Sequence, residues 1–138
     1  MLKVAFATDD RRAVNQHFGA ARGFTIYALD TERAQLVQVA EFAAEAMDGN
    51  ENKLGDKIAA LAGCAAVYCL AIGASAARQL LAGGIQPVRM DDGANIEMLL
   101  GQLRVALRDG GIPWLDKHLK RDVDAARFAR MATEGWQE

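Results

Sequence analysis

The chain has 138 residues, of which 51% are hydrophobic and 25% charged, and its formal net charge at pH 7 is −2. This length and composition are typical of one globular domain with a single hydrophobic core. The slightly acidic charge excludes a global basic field for nucleic acid. No window reaches the roughly 18 uncharged apolar residues of a membrane span, and no signal-type run follows the N-terminus. With two cysteines and no secretory signal, the expected location is a reducing cytoplasm.

The first part of the chain predicts a strand followed by a β-hairpin. Leu2–Ala7 is a short apolar run with β-branched and aromatic members, as expected for a buried central strand. Phe24–Leu29 and Gln35–Phe42 also have strand composition, and the polar segment Asp30–Arg33 between them fits a turn. Ala43–Asn50 is predicted as a loop.

The next part predicts helices alternating with strands. Ala65–Leu70 and Ile85–Met90 are predicted strands, and Pro87 places the second at a sheet edge. Asn50 and Asn95 are expected to cap helices, and Gly83-Gly84 to end one in the left-handed conformation. The predicted helices carry apolar stripes at Leu54, Ile58 and Leu61, at Ala77, Leu80 and Leu81, and at Ile96, Leu99, Leu100, Leu103 and Leu107.

This order of elements predicts an α/β fold. Strand, hairpin, helix, strand, helix, strand, helix gives a mixed five-stranded sheet with helices on both faces. The alternating tail of the order requires parallel pairing, and the early hairpin adds one antiparallel member. The order resembles a ribonuclease H-like sheet.

A C-terminal helical arm is predicted after this domain. Gly110-Gly111 marks a break and Pro113 suits the first turn of a short helix, so we divide the chain into a domain of residues 1–108 and an arm of residues 109–138. The arm is rich in charge and carries a discontinuous apolar stripe at Leu115, Leu119, Val123, Phe128 and Met131. Packing on its own domain is the simpler interpretation, and docking of a partner is the alternative.

A candidate site follows from the predicted sheet, because ligands of open α/β sheets bind beyond the carboxyl ends of the parallel strands. That rim would gather the loops Thr8–Gly19, Leu70–Ser75 and Met90–Gly93. The first loop holds His17, one of two histidines in the chain, which is either a metal ligand on a rigid scaffold or a solvated loop residue. The candidate binding residues beside it are Asn15, Gln16, Phe18 and Gly19.

Anion binding is a second expectation for this rim. Gly73, Ala74 and Ser75 open a predicted helix, where free backbone N–H groups favour negative charge. Ordinary helix capping is the alternative for these three residues. Arg22 is the candidate cation nearby, with simple solvation as its alternative.

The two cysteines are not expected to form one site. Cys64 and Cys69 lie at the two ends of one predicted strand, and their odd separation predicts opposite faces, so they are not expected to bind one metal jointly. Cys69, nearer the carboxyl end, is the candidate ligand. A small buried core thiol is the alternative for each.

The residues present give little support to any class of enzyme. The chain has no phosphate-binding GxxxxGK[ST] loop, no GxGxxG and no HExxH. Two-metal nuclease chemistry needs converging carboxylates, and Asp9 and Asp10 alone are insufficient. Ser75 is the only serine and lies at a helix start. We therefore expect no enzyme.

Several segments in order resemble one known family. Lys3–Thr8, Gln16–Ala21 and Phe24–Tyr27 resemble the nitrogenase iron–molybdenum-cofactor-binding domain family, and Met47–Leu54 and Gly63–Cys69 are similar to its NifX branch. The resemblance covers approximately residues 1–108 together with the tail. It implies a ribonuclease H-like fold without nuclease activity.

The resemblance also implies a function. Family members are small carriers that receive iron–sulfur cofactor precursors, such as the NifB cofactor, from NifB and pass them to the NifEN scaffold. Related carriers hold the finished cofactor for apo-dinitrogenase. The family's HFG histidine, implicated in cluster binding in relatives, corresponds to His17. A monomer suits such a shuttle.

The residues agree with a carrier, because a cluster that must leave again needs few protein ligands. One imidazole on an iron, backbone N–H groups and one or two arginines would hold an anionic iron–sulfur–carbide cluster without a permanent cage. A set of four cysteines would instead retain an ordinary cluster. The alternative function is an interaction or regulatory module of nitrogenase assembly that binds partner proteins without a cluster.

Overall fold

The structure is a computed structural model that describes residues 1–42 and 51–135 of the chain. The predicted loop Ala43–Asn50 and the predicted cap Asn50 therefore lie outside the described residues. The strands are β1 (Leu2–Ala7), β2 (Ala13–Val14), β3 (Gly23–Leu29), β4 (Ala34–Glu41), β5 (Ala66–Cys69), β6 (Gln86–Arg89) and β7 (Ala94–Asn95). The helices are α1 (Glu51–Ala60), α2 (Ala74–Ala82), α3 (Ile96–Asp109) and α4 (Pro113–Gly135).

The main sheet has five strands in the order β4-β3-β1-β5-β6. β1 pairs in parallel with β5, and β5 pairs in parallel with β6. β3 runs antiparallel to both β1 and β4, so it is the one antiparallel member of this sheet within the described residues. The predicted mixed α/β sheet is confirmed, and Pro87 lies in the edge strand β6 as expected.

Side chains of β1 alternate between two separate cores, because successive residues of a strand point to opposite faces of a sheet. Ala5 and Ala7 pack in the core formed with α1 and α2. Val4 and Phe6 pack in the core formed with α3 and the start of α4. Helices therefore cover both faces of the sheet, as predicted.

Helix α3 follows its sequence signals closely. The Asn95 side chain accepts a hydrogen bond from the Met98 backbone N–H at 3.0 Å, as expected for an N-cap. The predicted stripe is buried over its first four members and half-buried at Leu107. Gly110 lies just beyond the helix with a φ of +78°, a conformation that favours glycine.

Helix α2 buries Leu80 and half-buries Ala77, as predicted, but it does not bury Leu81. Ala76 and Leu80, four residues apart, are its buried residues, whereas Leu81 is 53% exposed. Three apolar residues in a helix do not by themselves determine which side of the helix packs on the sheet. At the end of the helix, Gly84 has the left-handed φ of +79°, and Gly83 keeps a φ of −87°.

A small two-stranded ribbon was not predicted. β2 and β7 pair antiparallel over Ala13–Val14 and Ala94–Asn95, segments that are too short to produce a hydrophobic period. The Ile96 backbone N–H also donates to the Arg12 carbonyl at 2.9 Å. The ribbon thereby fixes the loop after β1 to the start of α3.

The arm is one long helix, so the prediction of a short helix after Pro113 is right in its start and wrong in its length. Leu115 is buried and Leu119 half-buried, but Val123, Phe128 and Met131 are exposed. The predicted packing of the whole stripe is therefore wrong. At about 100° per residue, Phe128 and Met131 lie roughly opposite Leu115 and Leu119, so one surface cannot bury both pairs.

Within the described residues, no helix is long and apolar enough to cross a membrane.

Replacement of the α3 cap tests this account of the fold. We expect Asn95→Ala to lower the free energy of unfolding by about 1 kcal/mol, because the Met98 N–H loses its acceptor. Asn95→Asp, which keeps a capping oxygen, is the matched control and should stay near the wild type. Urea unfolding followed by circular dichroism measures both. Equal stability of the alanine and aspartate variants would contradict the role of the cap.

Candidate functional site

The loop that carries His17 is tied to the loop after β5 by two backbone hydrogen bonds. The Leu70 N–H donates to the Gln16 carbonyl at 3.0 Å, and the Phe18 N–H donates to the Ala71 carbonyl at 2.8 Å. These bonds lie one residue before and one residue after His17. They fix the backbone of His17 at the carboxyl end of β5.

The third predicted loop joins the same rim. The Met90 N–H donates to the Cys69 carbonyl at 2.8 Å, and the Gly93 N–H donates to the Val14 carbonyl at 3.1 Å. The predicted meeting of three loops at the carboxyl edge of the sheet is therefore confirmed. The direction of the strands explains why these loops meet, because β1, β5 and β6 are parallel and end at one edge of the sheet.

Asn15 and Gln16 use their side chains to brace the loop. The Asn15 amide donates to the Asp9 carboxylate at 2.8 Å and accepts from the Asp9 N–H at 3.1 Å. The Gln16 amide oxygen accepts from the Arg22 N–H at 3.2 Å, and its nitrogen donates to the Asn15 carbonyl at 3.2 Å. Both side chains are half-buried and engaged within the loop.

Asp10 stabilises the turn that precedes this loop. Its carboxylate accepts hydrogen bonds from the backbone N–H groups of Arg12 and Ala13 at 2.8 and 3.1 Å. These two donors lower the pKa of Asp10, the Arg12 contact being the larger cause. Arg11, within the same turn, has a φ of +63°.

His17 and Phe18 point in opposite directions. Phe18 is fully buried, and its ring centroid lies 5.5 Å from that of Phe24. His17 is exposed, and within residues 1–42 and 51–135 its imidazole has no hydrogen-bond or ion-pair partner. The backbone of His17 is therefore fixed at the rim, and its imidazole is exposed to solvent.

Lys57 supports the loop from α1 and was missed by the sequence analysis. Its side chain is buried, and its ammonium donates to the Gly19 carbonyl at 2.6 Å. The same nitrogen lies 5.8 Å from the centroid of the Phe42 ring. A signal was present, since Lys57 falls three residues after Leu54 and four before Leu61, on the apolar stripe itself.

The start of α2 lies beside the loop. Gly73 is the N-cap in an extended conformation, and no side chain among the described residues caps the helix. The Ser75 hydroxyl instead accepts from the Gln79 side chain at 3.2 Å. Ala74 and Ser75 are exposed, so the first N–H groups of the helix face solvent.

Arg22 stands apart from the helix start. It is exposed and lines a cavity of about 350 Å³ with residues of β3 and β4, and Gly73–Ser75 are not among the described residues of that cavity. An exposed ion pair of Arg11 with Glu41, at 3.8 Å, closes part of the same cavity. The structure thus brings His17 near the 70–73 turn and places Arg22 at the base of the loop.

Both cysteines are buried in the core with α1 and α2. The prediction of opposite faces is wrong, because Cys64 precedes β5 and the alternation of a strand does not extend to it. Burial raises the pKa of the Cys69 thiol to about 11, although the Arg89 charge lowers it, and burial also raises the pKa of Cys64. In the described part of the chain, no group of three His, Cys, Asp or Glu residues could hold a metal ion.

The chain is similar to characterised proteins over most of its length. Residues 1–105 match the family described as dinitrogenase iron–molybdenum cofactor. Protein NifX of Azotobacter vinelandii is 52% identical over all of this chain and 89% of its own length. Protein NifX of Klebsiella pneumoniae is 35% identical over 96% of this chain and 82% of its own.

A solved structure shares the fold. The crystal structure of PH0822 superposes with a TM-score of 0.56 at 25% sequence identity, covering 76% of this chain and 90% of that one. The match to the family extends over residues 1–105. The chain belongs to the dinitrogenase iron–molybdenum cofactor family and, within it, to the NifX branch.

Proposed function

We propose that this protein is a non-enzymatic carrier of an iron–sulfur precursor of the nitrogenase iron–molybdenum cofactor, with His17 as the main iron ligand. The observation that carries the proposal is the exposed side chain of His17 on a backbone held by two hydrogen bonds at the rim of the sheet. A neutral imidazole is a common ligand of iron. Membership of the family and the NifX branch supports the choice of cargo.

Backbone groups complete the proposed site. The uncapped first turn of α2 offers N–H donors and the positive end of a helix dipole to the sulfides of an anionic cluster. Gly19 and Gly73 carry no side chain, and an added Cβ at either would meet nothing within 4 Å, so both leave room for a bulky cargo. Arg22 would add charge at the base of the loop.

A site of this kind binds without trapping its cargo. One protein ligand and a few N–H donors leave most of a cluster's surface open, so a receiving protein can take it over. The buried thiol of Cys69 is far from its thiolate form at neutral pH, which favours a core role for it over ligation. Cys69 as a second ligand stays a prediction.

The finer steps of the proposal come from the resemblance to the family. We take the cargo to be the NifB cofactor, received from NifB and passed to NifEN, with apo-dinitrogenase as a further acceptor. A monomer in the cytoplasm suits this role, and the ribonuclease H-like relationship of the fold also remains a prediction.

One observation favours a second function. The distal part of α4 exposes Phe128 and Met131, as an element that binds another protein would. A cluster-free interaction module of nitrogenase assembly would use this arm alone. Such a module would stay colourless after exposure to the cofactor.

Removal of the imidazole tests the proposed carrier function. We expect His17→Ala to weaken retention of the NifB cofactor about tenfold or more, because the main iron ligand is lost. The purified protein would be titrated anaerobically with isolated NifB cofactor and passed through a gel-filtration column, with absorbance recorded at the protein peak. His118→Ala, at the other histidine of the chain, is the matched control and should retain the wild-type amount.

Two results would contradict this assignment. Equal retention by wild type and His17→Ala would remove His17 from the ligand set, and Cys69→Ala would then show whether the thiol takes its place. Absence of colour in the wild-type protein would favour the cluster-free module.

Support of the loop by Lys57 is tested separately. We expect Lys57→Gln to lower the free energy of unfolding by about 1–3 kcal/mol, because the Gly19 carbonyl loses a buried charged donor. The Phe18 amide should also exchange its hydrogen faster, since the loop is then less firmly held. Urea unfolding and amide exchange measured by NMR report the two effects.

The control for this substitution is Lys120→Gln, at an exposed position of α4. It should change the free energy of unfolding by no more than about 0.5 kcal/mol. If Lys57→Gln behaves like this control in both measurements, Lys57 does not hold the loop.

A further inference from the structure

The exposed side of α4 has a regular composition. Residues spaced four and three apart lie on one face of a helix. Here that face runs from a basic end to an apolar end, with Lys120 and Arg127 flanking it. In order along the helix it consists of Lys117, Arg121, Asp124, Phe128 and Met131.

This face is held out in solvent by the opposite side of the same helix. Leu115 is fully buried and Leu119 half-buried in the core with α3, which anchors the first two turns. Phe128 is 75% exposed and Met131 63% exposed. Large apolar side chains that protrude from an anchored helix are typical of an interaction surface.

The first turns of the arm and the His17 rim lie at opposite ends of the sheet. Leu119 and Asp122 of α4 line a cavity of about 630 Å³ together with residues at the start of β1 and just before β5. His17 lies beyond the other end of β5. A protein bound to the arm therefore leaves the rim accessible.

The charge of the arm indicates the kind of partner that it binds. Residues 117–131 hold five basic residues against two acidic ones, whereas the whole chain has a net charge of −2. The arm therefore attracts an acidic surface, and attraction of this kind speeds association.

The pattern of the apolar residues favours a protein over a lipid surface. Phe128 and Met131 form a compact pair three residues apart, with charged residues around them, which matches the apolar centre and polar rim of a protein interface. A helix that lies on a membrane needs a continuous apolar face along its length.

We propose that residues 117–131 of α4 form a docking surface for an acidic protein surface with a shallow apolar pocket that takes Phe128 and Met131. The inference rests on the proposed function in that the occupant is an assembly partner of the carrier. It adds the surface through which the carrier binds that partner while its cargo stays at the far end.

Binding of two purified proteins tests the docking surface in the full-length chain. The probes are cluster-free NifEN and NifB, and the dissociation constant would be measured at low and high salt. We expect Phe128→Ser/Met131→Ser to weaken binding to at least one of them about tenfold or more. Lys117→Glu/Arg121→Glu should weaken it too and reduce the dependence on salt.

The matched control is Met98→Ser/Val105→Ser, which removes another exposed apolar pair, 64% and 51% exposed, from α3. This control should bind like the wild type. Wild-type affinity in both arm variants, or an equal loss in the control, would overturn the proposal. Binding of the wild type to vesicles of anionic phospholipid but to neither protein would overturn it as well.

Cargo retention separates this proposal from the previous one. The arm variants should retain the NifB cofactor like the wild type, because none of the substituted residues belongs to the proposed cargo site and the first turns of the arm lie at the other end of the sheet. Loss of partner binding with retention intact supports the docking surface by itself. Loss of retention with partner binding intact would instead point to the rim and leave the arm without a role in docking.

Discussion

The site depends on two backbone hydrogen bonds between the loop of residues 16–18 and the turn of residues 70–71. A short loop after a strand has many conformations, and ordering each residue costs about 1–2 kcal/mol of conformational entropy. The bonds to Leu70 and Ala71 connect the loop to β5, which is buried on both faces. His17 takes its position from that rigid strand. The imidazole is thereby presented at the carboxyl edge of the sheet without a hydrogen bond or ion pair of its own to the described residues.

Buried contacts of the two residues that follow His17 stabilise the loop. Phe18 fills the core beside Phe24, and Lys57 supplies a charged donor to the Gly19 carbonyl. Each of these contacts would be lost if the loop lifted off the sheet. A buried lysine is tolerated here because its ammonium is hydrogen-bonded. The order of the loop is thus coupled to the packing of α1, although no residue of α1 is among the proposed ligands.

Much of the fold could be predicted from local pattern, and the failures share a cause. β1 and the Asn95 cap are specified by their own residues, and the structure confirms them. The face of α2 and the course of the arm depend on which surfaces lie nearby, which apolar spacing does not encode. Lys57 was overlooked because charge suggests solvent, even at a position on the apolar stripe. The carboxyl-edge rim was predictable because strand direction determines it.

Separation of the proposed cargo site from the proposed docking surface resolves a conflict in carrier chemistry. A carrier must hold a reactive cluster firmly enough to protect it and must also give it up to another protein. A partner docked on the cargo face would compete with the cluster for the same rim. A docking helix at the amino end of β1 and β5 lets the complex form before any ligand exchange begins. Once the partner is bound, its own ligands act at a high effective concentration, so transfer needs the loss of only one imidazole bond and the few polar contacts proposed beside it.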